Sequence, residues 1–526
     1  MATEPLSQLN IDCAKRYQKI DGFGSSLWGG FTVFERGNFD DAARGVRYRT
    51  TAEQRKHLLK LLFSDLRCTH VRVWIQPAGI EMQNDNDDPK VMNWNAFNWE
   101  GDSKKAMGKT QRESRRNGLR EWGEFLSAAR EAGSVTWIPT PGGMPPWLKE
   151  GLSRPPDDAW FEEYAEWAAA HLLFLKRTFG MEAPYWTFHN EADHIRHART
   201  TVFWKRWVKA VGNRFRKEGL KTKLMIPDYM NVYKAVPLVA EVLKDRDVRQ
   251  FVGALAYHHY RSSGDGPQPF LAVTSNAKKA NAGTLFDKLT GGAKCMAALG
   301  KQYNIPSWQT ETAYYPRNVK ELTEWEIARG RANEIYYELI SGASAIQGMF
   351  GIWVDAIDPR YQQTVRYEGH HIVMKSVDDN VVGWEVTKDC GVIFAHYARF
   401  VEPGDVRVEA TCADPFIQAT AFISFAKSHC AAVLVNNGGT KKSIQIQIRS
   451  LKWPSSFCRA VFTDGEHTWR SKQVIRSKSL PETYVLELAP LSVTTFVLAR
   501  NPAPGPFSRD FLNSPGCREE YRRELK

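Results

Sequence analysis

Apolar and polar positions along the chain fall into two regimes. From residue 19 onward, short apolar β-like segments alternate with longer amphipathic ones. The β-like segments are 20–24, 69–75, 135–139, 185–189, 224–227, 254–260, 306–310 and 345–353. Between them lie helical stretches at 52–63, 121–132, 158–179, 202–216, 232–243, 282–299 and 321–340, whose apolar residues recur three and four apart, as in Leu58, Leu59, Leu61 and Leu62. That spacing gives each helix one face to bury. Strands and helices in alternation imply a parallel sheet with crossover helices, and about eight repeats favour a closed (β/α)8 TIM barrel over an open sheet. No G-x-G-x-x-G follows an early strand, which argues against a dinucleotide-binding fold.

The second regime starts near residue 391. Short alternating strands at 406–408, 417–425, 431–435, 444–448, 460–463, 484–488 and 493–498 are separated by turn signals such as Asn436-Asn437-Gly438-Gly439 and Asp464-Gly465. This pattern predicts a C-terminal antiparallel β-sandwich. The expected organisation is an N-terminal strand within 1–18 that pairs into the sandwich, a catalytic barrel over 19–390, the sandwich over 391–500 and an exposed tail over 501–526.

Composition narrows the function classes. The chain has 526 residues with 43% hydrophobic positions, including 18 Trp, 18 Tyr and 27 Phe, ample for a large core and more than one domain. The tryptophans fit either core filling or flat platforms lining a ligand cleft. A formal charge of +12 would suit an anionic partner, but the densest basic stretch, 104–120, is interrupted by Glu113 and has no nucleic-acid-binding motif with it. Nucleic acid is therefore not expected as a partner. Eight cysteines occur without a C-x-x-C pair, so neither a zinc site nor a redox motif is expected; the four from Cys390 to Cys458 leave disulfides and buried thiols equally open. No apolar run reaches the roughly 18 residues needed to span a bilayer. Met1-Ala-Thr-Glu-Pro lacks the basic and apolar regions of a signal peptide, which points to an intracellular protein or a trimmed form of an exported one.

Chemistry concentrates at strand ends. Barrel enzymes carry their active sites at the C-terminal ends of the strands, and there stand two glutamates, Glu191 after the fourth strand and Glu311 after the seventh. Side-chain alternation would put Thr187, His189 and Glu191 on the axis side, with Trp186 and Phe188 toward the helices. It would likewise put Ser307, Gln309 and Glu311 on the axis side, with Trp308 and Thr310 outside. Most glutamates are solvated or ion-paired, so one such residue says little. Two facing one cavity are what glycosidic cleavage needs: one protonates the leaving oxygen while the other attacks or activates water.

The ordered motifs resemble glycoside hydrolase family 30, a family of barrel enzymes that retain anomeric configuration. They are Gln18-Lys-Ile-Asp-Gly-Phe-Gly24, His70-Val-Arg-Val, Pro145-Pro-Trp-Leu-Lys149, His189-Asn190-Glu191, His258-His-Tyr260, Trp308-Gln309-Thr310-Glu311 and the stretch from Phe400 to Arg407. The resemblance spans about residues 9 to 500, sandwich included. It implies Glu191 as acid/base and Glu311 as nucleophile, and it implies Asn190 as the holder of the sugar's 2-hydroxyl. It places Arg72 beneath the nucleophile, His258 or Tyr260 hydrogen-bonded beside it, and Trp147 and Trp353 as sugar-stacking walls. Neither cofactor nor metal is implied.

This sequence departs from the family pattern at Ala192, where proline usually follows the acid/base. It departs again at Pro141-Gly-Gly-Met-Pro-Pro146, which lacks an aromatic before Trp147, and in the long 76–117 loop, which should overhang the cleft. Asp85, Asp87 and Asp88 in that loop lack full calcium-loop spacing and read as a solvated turn. The expected activity is a retaining β-glycoside hydrolase on a galactan, xylan, glucan or glucoside. The alternative is a carbohydrate-binding barrel without turnover.

Overall fold

The computed structural model describes residues 6–27, 38–41, 46–49, 51–75, 80–81, 83–99, 119–133, 135–258, 282–312, 323–348, 350–355, 370–377, 380–424, 429–453, 455 and 457–500. Eight strands form one parallel sheet: Gly22–Leu27, His70–Ile75, Thr136–Pro141, Tyr185–Thr187, Lys223–Tyr229, Val252–His258, Ser307–Thr312 and Ala345–Gly348. They follow one another in chain order, each paired in parallel with its neighbours. Between the third and fourth, the Asn190 N–H donates to the Pro141 carbonyl at 2.9 Å and closes the ring. The protein is a TIM barrel joined to a β-sandwich.

Helix ends are set by local chemistry. Thr51 with Gln54, and Thr323 with Glu326, form capping boxes that satisfy the first N–H groups of helices Ala52–Leu59 and Glu324–Ser341. Asp157 caps Asp158–Phe179, and Gly180 ends it at φ 64°, a conformation glycine adopts without strain.

Tryptophan mostly fills the core. Trp167, Trp186, Trp204 and Trp207 are fully buried, packed with Tyr164 and Phe188 between helices Asp158–Phe179 and Thr201–Lys217 and the fourth strand. Inside the barrel, Ile138, Met225, Ala254, Ala256 and Ala345 surround Trp308, whose ring meets His70 and Tyr185 edge-on and whose Nε1 donates to Asp21 Oδ2 at 2.8 Å. Trp308 thus plugs the interior. The expected outward orientation is wrong, because the pairing slips by one residue between Gln309 and Glu311 and parity does not carry through.

A second difference concerns 345–353, expected as one strand. The barrel strand stops at Gly348, where an added Cβ would lie 2.8 Å from the His371 ring. The chain resumes as Phe350–Asp355 in a separate sheet with Asn38–Asp41, Val46–Arg49, His370–Val377 and Asn380–Val386.

The sandwich is a ten-stranded sheet whose strands from Val406 onward pair antiparallel. Strand Ser7–Lys19 enters it antiparallel to Val406–Cys412 and parallel to Lys442–Arg449. In the latter, Ile444, Ile446 and Ile448 are buried while Gln445 and Gln447 are not, the alternation of a strand with one covered face. Helix Glu324–Ser341 docks the barrel on the sandwich: Asn333 and Asn437 exchange amide hydrogen bonds at 3.0 and 3.1 Å, and Trp325 Nε1 donates to the Leu491 carbonyl at 2.6 Å. The seven described cysteines are free thiols. Among the described residues no helix is long and apolar enough to cross a membrane. The tail 501–526 lies outside the described residues.

Candidate active site

At the C-terminal mouth of the barrel, Arg72 organises a buried charge cluster. On the second strand, Val71 and Val73 are buried against the helical layer, so Arg72 takes the axis side and is fully buried. Its Nη1 donates to Glu311 Oε2 at 2.5 Å and lies 3.5 Å from Ser26 Oγ. Nη2 donates to Asn190 Oδ1 and Asp228 Oδ2, both at 2.6 Å. Burial alone would favour the neutral guanidine, yet Asp228 and Glu311 reverse that and raise the pKa further.

Each carboxylate reaches this point by a different backbone device. Glu311 arrives through the slip after Gln309, which lets both Thr310 and Glu311 serve the interior; Thr310 Oγ1 donates to Asp228 Oδ1 at 2.6 Å. Glu191 does not come by strand alternation, since the fourth strand ends at Thr187. It sits at φ 51°, in the left-handed region, after His189 Nδ1 and the Asn190 carbonyl approach to 2.5 Å in a tight turn. Such strain collects at functional sites. Asp228, also at a left-handed φ of 58°, enters where the fifth strand's pairing slips between Pro227 and Tyr229.

His258 links the acids. Its Nδ1 lies 3.2 Å from Glu191 Oε1, and its Nε2 lies 3.3 Å from Asp228 Oδ1 and 3.9 Å from Glu311 Oε2. Complete burial would lower its pKa, but Glu311, Asp228 and Glu191 outweigh burial and hold it up at about 10. Burial likewise works against ionised Asp228, and Arg72 and His258 overcome it, keeping its carboxyl well below the usual range. Glu191 is partly open to solvent. Burial raises its carboxyl, while His258 and then His194, 3.2 Å from Oε2, bring it below the ordinary value.

One oxygen each of Glu191 and Glu311 and one nitrogen of His258 lie within 4.8 Å of one another. A divalent ion there would compete with the Arg72 guanidinium, which already donates to Glu311 Oε2 at 2.5 Å. The donor set suits proton transfer better than metal ligation.

The structure therefore brings together Arg72, Asn190, Glu191, His258 and Glu311 from the residues the sequence singled out. Trp147 is half-buried after the third strand, with Nε1 donating to the Glu81 carbonyl at 3.2 Å. Trp353 lies on the separate sheet, with its side chain outside the described residues, as is all of Tyr260. Sequence reasoning missed Asp228 and Thr310. Asp228 directly follows 224–227, so the strand-end rule that marked the glutamates applies to it too.

Solved structures superpose on nearly the whole chain. The catalytic domain of family 30 xylanase C from Talaromyces cellulolyticus matches with a TM-score of 0.68 at 16% identity, covering 94% of this chain and 100% of that one. The fold is that of the family 30 glycoside hydrolases. A family 30 endoxylanase from Clostridium papyrosolvens matches this glycoside hydrolase fold at a TM-score of 0.60 and 16% identity, over 94% of this chain and 100% of that one. An endo-β-1,6-glucanase matches at 0.61 and 17%, over 94% of both chains. No family model and no curated protein sequence matches the chain.

Proposed function

We propose that the chain is a retaining β-glycoside hydrolase acting on a β-linked polysaccharide or glycoconjugate of galactan, xylan, glucan or glucoside type. The observation that carries this reading is the closeness of Glu191 and Glu311, whose nearest oxygens lie within 4.8 Å at the barrel mouth. Retaining glycosidases hold their carboxyls about 5–5.5 Å apart, and inverting ones stand wider to admit a water.

In this reading Glu311, held in place by Arg72, attacks the anomeric carbon while Glu191 protonates the departing oxygen. Water activated by Glu191 then hydrolyses the glycosyl ester on Glu311. Asn190 has its side-chain oxygen engaged by Arg72, which leaves its NH2 group to donate to a sugar hydroxyl. Glu191 and His258 share one proton, and in the free protein it rests on His258. A leaving oxygen placed against Glu191 excludes water and shifts that proton toward the carboxyl.

The test is a panel of aryl β-glycosides and β-linked polysaccharides, xylan and β-1,6-glucan first because neighbours of this fold are named for them. Hydrolysis by the native chain, with Glu191→Gln or Glu311→Gln reducing it by about 10²–10⁴-fold or more, is expected. Unchanged activity in either variant sinks the assignment, and carbohydrate binding without turnover favours the binding-protein alternative.

A further inference from the structure

The loop after the second strand carries a second group of acids away from the barrel axis. Glu81, Asn84 and Asp85 lie on the loop, and Glu163 and Glu166 lie three residues apart on helix Asp158–Phe179, on one helical face. Glu81 and Glu166 are each only 2% exposed. Five oxygens here, Glu81 Oε2, Asn84 Oδ1, Asp85 Oδ1, Glu163 Oε2 and Glu166 Oε1, are shut off from solvent and accept no hydrogen bond.

Other atoms of these residues are engaged. The Asp85 N–H donates to Glu81 Oε1 at 3.1 Å, Asp85 Oδ2 accepts from the Asn93 N–H at 2.5 Å, and Asn84 bonds Glu163. Among the described residues the cation facing the group is Arg214, with Nη2 3.6 Å from Glu166 Oε1, while its Nε serves Glu218 and its Nη1 the Pro89 carbonyl. Burial first, and then the neighbouring charges of Asp85 and Glu163, push Glu81 up to about 8. Asp85 is therefore no solvated turn residue, as the sequence alone suggests, but part of a buried cluster.

Buried acceptors need partners, and buried carboxylates need positive charge. Four acids facing one guanidinium among the described residues, with five oxygens lacking donors, form the donor set of a hard cation. We propose that Glu81, Asn84, Asp85, Glu163 and Glu166 bind a divalent cation of calcium type that fastens the loop to helix Asp158–Phe179.

The acids stand wider than in direct ligation, since among the described residues the grouping with ligand atoms within 4.8 Å is Glu191, His258 and Glu311. Calcium accepts about six to eight oxygens in flexible geometry, waters included, so inward rotation of loop side chains or bridging water completes the shell. Magnesium, which demands a near-ideal octahedron, fits less well. Because the Glu81 carbonyl also holds Trp147, the cation steadies that aromatic as well.

The full chain, stripped of metal by a chelator, is titrated with calcium by calorimetry and with terbium, read through emission sensitised by nearby tryptophan. About one equivalent should bind, with terbium displaced by calcium far better than by magnesium and with a melting temperature that rises with calcium. In the double variant Asp85→Asn, Glu163→Gln, calcium affinity should fall at least about ten-fold while the metal-free fold persists. Absence of calcium heat and of displaceable terbium emission in the native chain overturns the proposal. So does equal binding by the folded double variant.

Discussion

His258 at the barrel mouth and His396 at the seam with the sandwich are both fully buried, and the protein holds their protons in opposite ways. His396 has its Nδ1 2.8 Å from Thr495 Oγ1 and its Nε2 2.8 Å from Thr463 Oγ1, and it stacks on Trp469 at 4.5 Å. With neutral partners, burial decides, and the ring's pKa falls to about 3. Around His258 burial is the same but three carboxylates answer it, and the value rises to about 10. Burial makes a histidine neutral by default; a protonated one marks a place where acids have been assembled.

The two sites should also pull stability in opposite directions with pH. The charged His258 adds stability that is whole below its unfolded value of about 6.5 and is lost as pH rises through about 10. The neutral His396 adds stability that is whole above about 6.5 and is lost as pH falls toward 3.

The largest effect should come from removing the cation at the mouth. Arg72→Met leaves Glu311 and Asp228 buried without their partner, at a cost of about 3–5 kcal/mol by denaturant unfolding, and it abolishes activity. A variant as stable and active as the parent would mean that the mouth is not a charge-compensated cluster.

The next is His258→Gln, read in the pH profile of kcat/KM. In the native chain the alkaline limb should follow loss of the proton shared with Glu191 and lie well above neutral pH, since the surrounding carboxylates hold His258 up at about 10. In the variant Glu191 titrates alone, and the limb should move toward neutral pH. An unmoved limb would show that His258 does not hold the catalytic proton. The smallest is His396→Ala, which strands two threonine hydroxyls and should cost about 1–3 kcal/mol while leaving kcat/KM unchanged. A change in kcat/KM there would erase the contrast between the two histidines.

Much of this was legible in the sequence. The eight barrel strands follow from apolar segments alternating with amphipathic ones, and Arg72 is placed inward by Val71 and Val73 on either side. Parity fails where the backbone leaves ideal pleating. The slip after Gln309 turns Trp308 into the barrel along with Glu311, and the left-handed residues Glu191 and Asp228 are aimed by turns that no period-two pattern encodes. The five-stranded side sheet was not legible either, because its strands pair across long separations, Asn380 with Arg49 for example. His258 and His396 look alike in sequence, since only the fold decides whether acids or hydroxyls surround them.

The central claim is that Glu191 and Glu311 work as a retaining pair, and the anomer first released tests it most directly. Proton NMR of a β-glycoside during its first turnovers should show the β-anomer forming first and then mutarotating. The α-anomer as first product would contradict the account.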